Sequence, residues 1–185
     1  MPYPSQITRV AIVEKARDMV EAEGADQLSL HKVAAALGVK APSLYRYFAS
    51  KTDLLRAVNL QTAQRMIEAM EQADGSETDA HARMLAMAHA CRAFGYAYPM
   101  TYRLAFTNAN DDLRPDDSLL EAMAIPIQQV MAEISGDERS LAALRGVWAL
   151  IHGFILFEIS GQFRRGGDLE AAFTQCVEAY LRGWG

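Results

Sequence analysis

Residues 40–51 bring together Lys40, Ser43, Tyr45, Arg46, Tyr47 and Lys51 with no carboxylate among them. Ammonium, guanidinium and phenol groups neutralise and hydrogen-bond phosphate oxygens, while short hydroxyls and phenols can reach base edges in a groove. Ser29 and Lys32 offer the same chemistry on a neighbouring turn. The type and spacing of these residues therefore point to contact with a nucleic-acid duplex, provided that the local structure turns them outward.

The segment SLHKVAAALGVKAPSLYRYFASKTD supplies that local structure. Ser29 is placed to cap a helix whose buried stripe is Leu30, Val33, Ala34 and Leu37, by accepting from an otherwise orphaned backbone amide. Gly38 can take the left-handed conformation that ends a helix, so the chain reverses over Gly38 to Ala41. Pro42 suits the first turn of the next helix, where a missing N–H costs nothing. Leu44 and Phe48, four apart, are its buried side, which leaves Tyr45 and Tyr47 outward. Ile7 to Glu23 read as a bracing helix with Val10, Val13, Ala16, Met19 and Val20 inward, ended by Gly24. Ser50 and Asp53 form a capping box that opens a long helix running to about Glu71.

GVKAPSLYRYFASKTDLL resembles the helix-turn-helix signature of tetracycline-repressor (TetR) family regulators, and the resemblance covers roughly the first third of the chain. It implies an all-α, dimeric regulator that binds a double-stranded DNA operator. The expected organisation is a three-helix, homeodomain-like helix-turn-helix domain over residues 1–56 and a helical effector-binding and dimerisation domain over 57–185. In a helix-turn-helix the second helix enters the major groove N-terminus first, so Ala41 to Tyr45, including Pro42, come nearest the bases. Ser43 and Tyr45 are the base-facing candidates. Tyr47 and Lys51 match family positions that clamp the backbone, Ser29 and Lys32 flank them, and Arg46 can serve either role. Lys40 departs from the serine or threonine common in the family, forfeiting a cap and setting a cation at a helix's positive end, an arrangement that favours a nearby phosphate.

Charge is distributed to match. The 185 residues carry a net charge of −5, yet residues 1–60 sum to +2 and the remainder to −7. An acidic body should repel DNA and direct the basic head toward it. A hydrophobic content of 51% suffices for a substantial core. No apolar run is expected to span a bilayer, and MPYPSQITRV lacks the apolar stretch of a leader, so a cytoplasmic location away from membranes is expected. Cys91 and Cys176 form no disulfide framework and are expected as buried thiols.

Beyond the head, apolar residues recur at three- and four-residue intervals, which reads as helix throughout. Asp74, Gly75, Ser76 and Asp79 make a break. Helices over His81–Tyr98 and Met100–Thr107 meet at Pro99, and Asn108 to Asp117 read as a solvated loop. Ser118 to Ile134 resume helical spacing around Pro126, which should kink or break the helix. Asp137–Gln162 and Asp168–Gly183 are then antiparallel neighbours across a short turn.

The penultimate helix is apolar nearly all round and must be covered on most sides. Ala149, Gly153, Leu156 and Ser160 on it, with Phe173, Val177 and Tyr180 on the last helix, are the expected surface of a two-fold, four-helix homodimer interface. Met84, Met87, Cys91, Phe94 and Tyr98 share a stripe that Tyr102 and Phe106 continue. With Trp148 and His152 as polar handles, Met87, Cys91, Phe94, Tyr98, Tyr102 and Phe106 are the candidate lining for a small, largely apolar effector. The Trp148, His152, Gly153 triplet resembles the regulatory domain of a TetR subset known for Trp, His and Gly. By resemblance to the TetR family as a whole, the mechanism is repression relieved when ligand moves the reading heads, with activation as the alternative.

Other classes fare worse. The four histidines form no metal-spaced cluster, and His89 and Cys91 diverge by about 200° around a helix. No glycine-rich phosphate loop or nucleophile motif is present, so neither an enzyme nor a cofactor or metal requirement is expected. A nucleoid protein binding DNA without preference would not need so large an apolar body.

Overall fold

The computed structural model describes residues 7–75 and 78–185. Residues 1–6, in the stretch on which the leader expectation rests, and Ser76 of the expected break lie outside the described residues. Nine α-helices occur among the described residues, α1 Arg9–Glu23, α2 Leu30–Ala36, α3 Ala41–Tyr45, α4 Lys51–Asp74, α5 Ala80–Ala97, α6 Pro99–Thr107, α7 Asp117–Ser135, α8 Asp137–Ile159 and α9 Leu169–Arg182. Short 3-10 turns occur at Ala25–Gln27 and Asp111–Leu113. No strand occurs among the described residues, and the fold is all-α.

The chain forms two compact units. One comprises the described residues up to Ala63 together with Tyr98–Pro115, and the other the described residues of Gln64–Ala97 with Asp116–Gly185. The first compact unit thus extends past the span 1–56 expected from sequence. It takes two further turns of α4 and, from far along the chain, α6 and the loop after it.

The core of the first unit is built largely from the stripes that the spacing marks out, but Val10, expected inward, is 62% exposed, since it lies to one side of the α1 stripe formed by Ile12, Val13, Ala16 and Val20. Ile12, Val13, Ala16 and Val20 of α1 meet Leu30, Val33 and Ala34 of α2, Leu44, Phe48, and Leu54, Leu55 and Val58 of α4. Each of the larger side chains among them contributes about 1.5–3 kcal/mol by leaving water, so the five-residue α3 is held by packing rather than by its own helical bonds. Leu113 joins this core. Asn59 Nδ2 donates to the Leu113 carbonyl at 2.9 Å and Arg56 Nε to the Asp112 carbonyl at 2.8 Å. The segment Asn108 to Asp117 is therefore not simply a solvated loop, because one of its residues is a core side chain. α6 packs on α1, and the Glu21 carboxylate caps it, accepting from the amides of Met100 and Thr101 at 3.0 and 2.9 Å and from the Thr101 hydroxyl at 2.8 Å. A carboxylate at a helix's positive end, with its acceptors filled, is a strong form of cap.

In the second unit α5 packs against α7, α8 and α9, and α8 packs against both α7 and α9. α7 runs through Pro126 without a break. Ile127, Val130, Met131 and Ile134 are buried along one stripe beyond the proline, and that burial outweighs the roughly 3 kcal/mol that an interior proline costs. Gly136, at φ +79°, turns the chain between α7 and α8. α8 overturns the expectation about apolar runs, since an 18-residue window within it has mean hydropathy 1.6, long and apolar enough to cross a membrane. A core helix meets the same criterion. Cys176 is also corrected. It is exposed, because it lies one step off the buried stripe Phe173, Val177, Leu181.

Candidate nucleic-acid interface

α2 and α3 form the helix pair expected from the sequence. Ser29 Oγ accepts from the Lys32 amide at 3.2 Å, and Gly38 turns the chain at φ +68°. Lys40 precedes α3 with no side-chain cap, and Pro42 occupies its first turn. Leu44 is wholly buried and Phe48 nearly so. Tyr45 and Tyr47 point outward, 48% and 37% exposed. Lys32, Lys40, Pro42 and Arg46 are exposed as well, while Ser29, Ala41, Ser43 and Lys51 are half-buried. The expected contact residues thus share the first unit, with the apolar side of α3 inward and its hydroxyl and cationic side in water.

Contacts fix several of these groups. The Tyr45 ring meets His31 edge-on with centroids 6.3 Å apart. Tyr47 donates its hydroxyl to the Ile7 carbonyl at 2.7 Å, and Lys51 Nζ donates to the Asp26 carbonyl at 3.0 Å. The consequences differ. Tyr47 has one proton, already engaged, whereas an ammonium keeps two further donors for an anion. Lys32 sits 3.5 Å from Glu23 with both side chains about half exposed, a pairing too solvated to hold it against a phosphate. Sequence reading missed two supports of this surface. Arg9 lies over the Phe48 ring at 4.8 Å, and the start of α1 is pinned by Tyr47. Both join residues about forty apart, for which one sequence carries no marker.

The expected effector lining divides between the units. Met87, Cys91 and Phe94 form the buried face of α5 in the second, where Cys91 Sγ lies 3.6 Å from Met66 Sδ. Trp148 and His152 are half-buried on α8 with ring centroids 4.9 Å apart. Burial pushes the His152 imidazole down to a pKa of about 4, so it is neutral at physiological pH. Tyr98, Tyr102 and Phe106 belong to the first unit, with the Tyr102 and Phe106 rings 4.8 Å apart.

The expected dimer residues also divide. Ala149 is exposed, and Gly153, Leu156 and Ser160 are half-buried. Phe173 and Val177 have no exposed surface and are filled by the protomer's own packing. Tyr180 donates to the Ala143 carbonyl at 2.9 Å, which ties α9 to α8 within one chain. The apolar surface left outward includes Leu141 and Phe157 of α8.

Comparison with known proteins identifies both the helix-turn-helix region and the C-terminal region. Residues 12–58 match the model of the bacterial regulatory proteins of the tetR family. Residues 84–180 match the tetracyclin repressor-like C-terminal domain. An HTH-type transcriptional regulator of Mycobacterium tuberculosis is 32% identical over 180 residues, covering 94% of this chain and 80% of that protein. Among solved structures, a protein from Rhodococcus sp. RHA1 superposes with a TM-score of 0.82 at 22% identity, covering 100% of this chain and 98% of its own. A TetR variant from Acinetobacter baumannii AYE in complex with minocycline gives a TM-score of 0.70 at 22% identity, covering 96% and 92%. Two matched regions that span the head and most of the second unit, and a relative aligned over nearly the whole chain, lead to one conclusion: this protein belongs to the TetR family of DNA-binding transcriptional regulators, and it is not an enzyme.

Proposed function

We propose that the protein is a homodimeric cytoplasmic repressor that holds a near-palindromic operator through two copies of α3 and releases it when a small, largely apolar effector binds. The observation that carries the reading is the outward pair Tyr45 and Tyr47 on a helix whose other side is locked by Leu44 and Phe48. Ser43 and Tyr45 read bases. Lys51, Arg46, Lys40 and Lys32 contact phosphates, and Ser29 lies at the same flank. Tyr47 braces the start of α1 and reaches phosphate only by giving up its bond to Ile7. Met87, Cys91, Phe94, Tyr98, Tyr102 and Phe106, with Trp148 and His152, are the proposed effector lining. The minocycline complex of the Acinetobacter TetR supports a small molecule as the signal. Assignment to the Trp-His-Gly subset rests on the Trp148, His152, Gly153 spacing itself, which lies inside the matched C-terminal region. Release requires that the effector bind the two head arrangements unequally, since equal binding moves nothing.

Footprinting across genomic DNA tests the reading. A single short palindrome should be protected, with half-sites about 34 Å apart or slightly more. Tyr45→Ala should relax base preference at one position of each half-site. Lys51→Ala should weaken binding to all sequences alike and lower the salt slope by about one. Equal losses for both variants on scrambled DNA would remove the proposed division between base reading and phosphate clamping.

A further inference from the structure

The second unit contains an ion cluster that DNA reading does not use. Arg92 of α5 and Glu158 of α8 form a two-toothed pair, Nε to Oε2 at 2.8 Å and Nη2 to Oε1 at 2.7 Å, with side chains only 11% and 2% exposed. Burial alone would raise the Glu158 carboxyl, but hydrogen bonds from Arg92 and Tyr96 outweigh it and hold the group below the usual carboxylate range. Arg92 therefore already has its counter-charge. Yet a second carboxylate, Glu170 in the first turn of α9, also reaches Arg92 Nη1. Its other oxygen lies 3.1 Å from His89 Nδ1, while His89 Nε2 meets the Thr174 hydroxyl at 3.1 Å. Glu170 is 62% exposed, so it sits at the mouth of the cluster rather than within it.

These side chains line an open groove of about 670 Å3, formed by His89, Arg92, Ala93, Tyr96, Ala97 and Glu170. Ala93 and Ala97, one turn apart on α5, leave its floor shallow and apolar. The half-exposed Tyr96 ring stands at one side with the Arg92 guanidinium 5.4 Å from its centroid. Arg92 Nη1 donates to the Glu170 carboxylate, and His89 Nδ1 donates to it in the tautomer whose Nε2 accepts from the Thr174 hydroxyl. A group that takes the place of that carboxylate on Arg92 and His89 accepts two hydrogen bonds, as a carboxylate does best, and a body attached to it would rest on the two alanines beside an aromatic face.

We propose that this groove is a binding site for a small monocarboxylate with a flat apolar body, whose carboxylate replaces that of Glu170 on Arg92 and His89. The exchange is neutral in charge, because one carboxylate leaves as another arrives. Glu170 is then an internal competitor tethered at high effective concentration, and the intact protein binds such acids weakly. The site is separate from the apolar effector lining proposed above and is read without DNA, so either can fail alone.

The experiment is calorimetric titration of sodium benzoate into the full-length protein, its E170A variant and E170A/A93W, with circular dichroism confirming helical content in each. Glu170 and Ala93 are surface residues, so both changes leave the core intact. E170A should bind benzoate at least about tenfold more tightly than the parent chain. Filling the groove with tryptophan at position 93 should return affinity to the parent value or below. E170A binding no tighter than the parent, or a gain that survives A93W, overturns the assignment. So does preference for benzylamine that E170A weakens, which would mark the groove as a cation site.

Discussion

His152 shows how desolvation of a ring sets the titration of a residue in this molecule. Its folded pKa of about 4 lies below the ordinary 6.5, with desolvation as the cause. Between those values the unfolded chain binds a proton that the folded chain refuses, so stability is fully present above pH 6.5 and falls as the pH drops toward 4. The loss amounts to at most roughly 3 kcal/mol, since each pH unit separating the folded and unfolded titrations costs about 1.4 kcal/mol. Urea unfolding of the wild type and His152→Phe across pH 6.5 to 4.5 should show the variant with the flatter dependence. Equal slopes would assign the pH effect to other groups. At this scale the sequence is legible where a residue's role depends on near neighbours. The outward Tyr45 and Tyr47, the Ser29 cap and the Gly38 turn all follow from spacing within a few positions. The Tyr47 bond to Ile7 and the cluster of Arg92 with Glu158 and Glu170 do not, because their partners lie 40, 66 and 78 positions away.

Among elements, the α8–α9 pair depends on one missing side chain. A Cβ built on Gly146 would lie 2.0 Å from the Tyr180 hydroxyl oxygen and 2.8 Å from its Cζ, so the ring could not stay. Gly146→Ala should swing Tyr180 away and break its bond to the Ala143 carbonyl, destabilising the protein by about 1–3 kcal/mol. Adding Tyr180→Ala should recover part of the Gly146→Ala defect, because the clash then has no partner. If the two losses simply add in thermal unfolding, the glycine matters for another reason. Most helices are readable from periodicity, since a buried stripe every three or four residues is a local property. Two features of the elements are not. Pro126 carries the local signal of a kink or break, yet the downstream stripe from Ile127 to Ile134 buries enough apolar surface to keep α7 continuous. Leu113 has the polar neighbours of a solvated loop, and nothing near it marks the core that it enters. For the same reason nothing around residue 56 signals that the first compact unit continues, as the segments that complete it come from beyond residue 97.

For the whole molecule, the outer face of α8 supplies the last argument. The helix contains a window of mean hydropathy 1.6, of which only 33% is buried within the chain. Leu141 and Phe157 are exposed, and Ala149 stands open on a stripe with Gly153, Leu156 and Ser160. An apolar helix left this bare in water calls for a cover, and a second copy of the same face gives a closed two-fold assembly. Small residues along the stripe let two helices approach closely, which a long cation would prevent. Ala149→Arg alters a residue outside the protomer's core and should leave thermal unfolding of the subunit's helices largely intact while converting the protein to a monomer in sedimentation. Operator affinity should then fall at least about a hundredfold, because one head no longer raises the local concentration of the other. Binding to an isolated half-site should change little. A variant that stays dimeric would move the interface off this stripe, and a monomer that keeps full operator affinity would mean that paired heads are not what reads the palindrome.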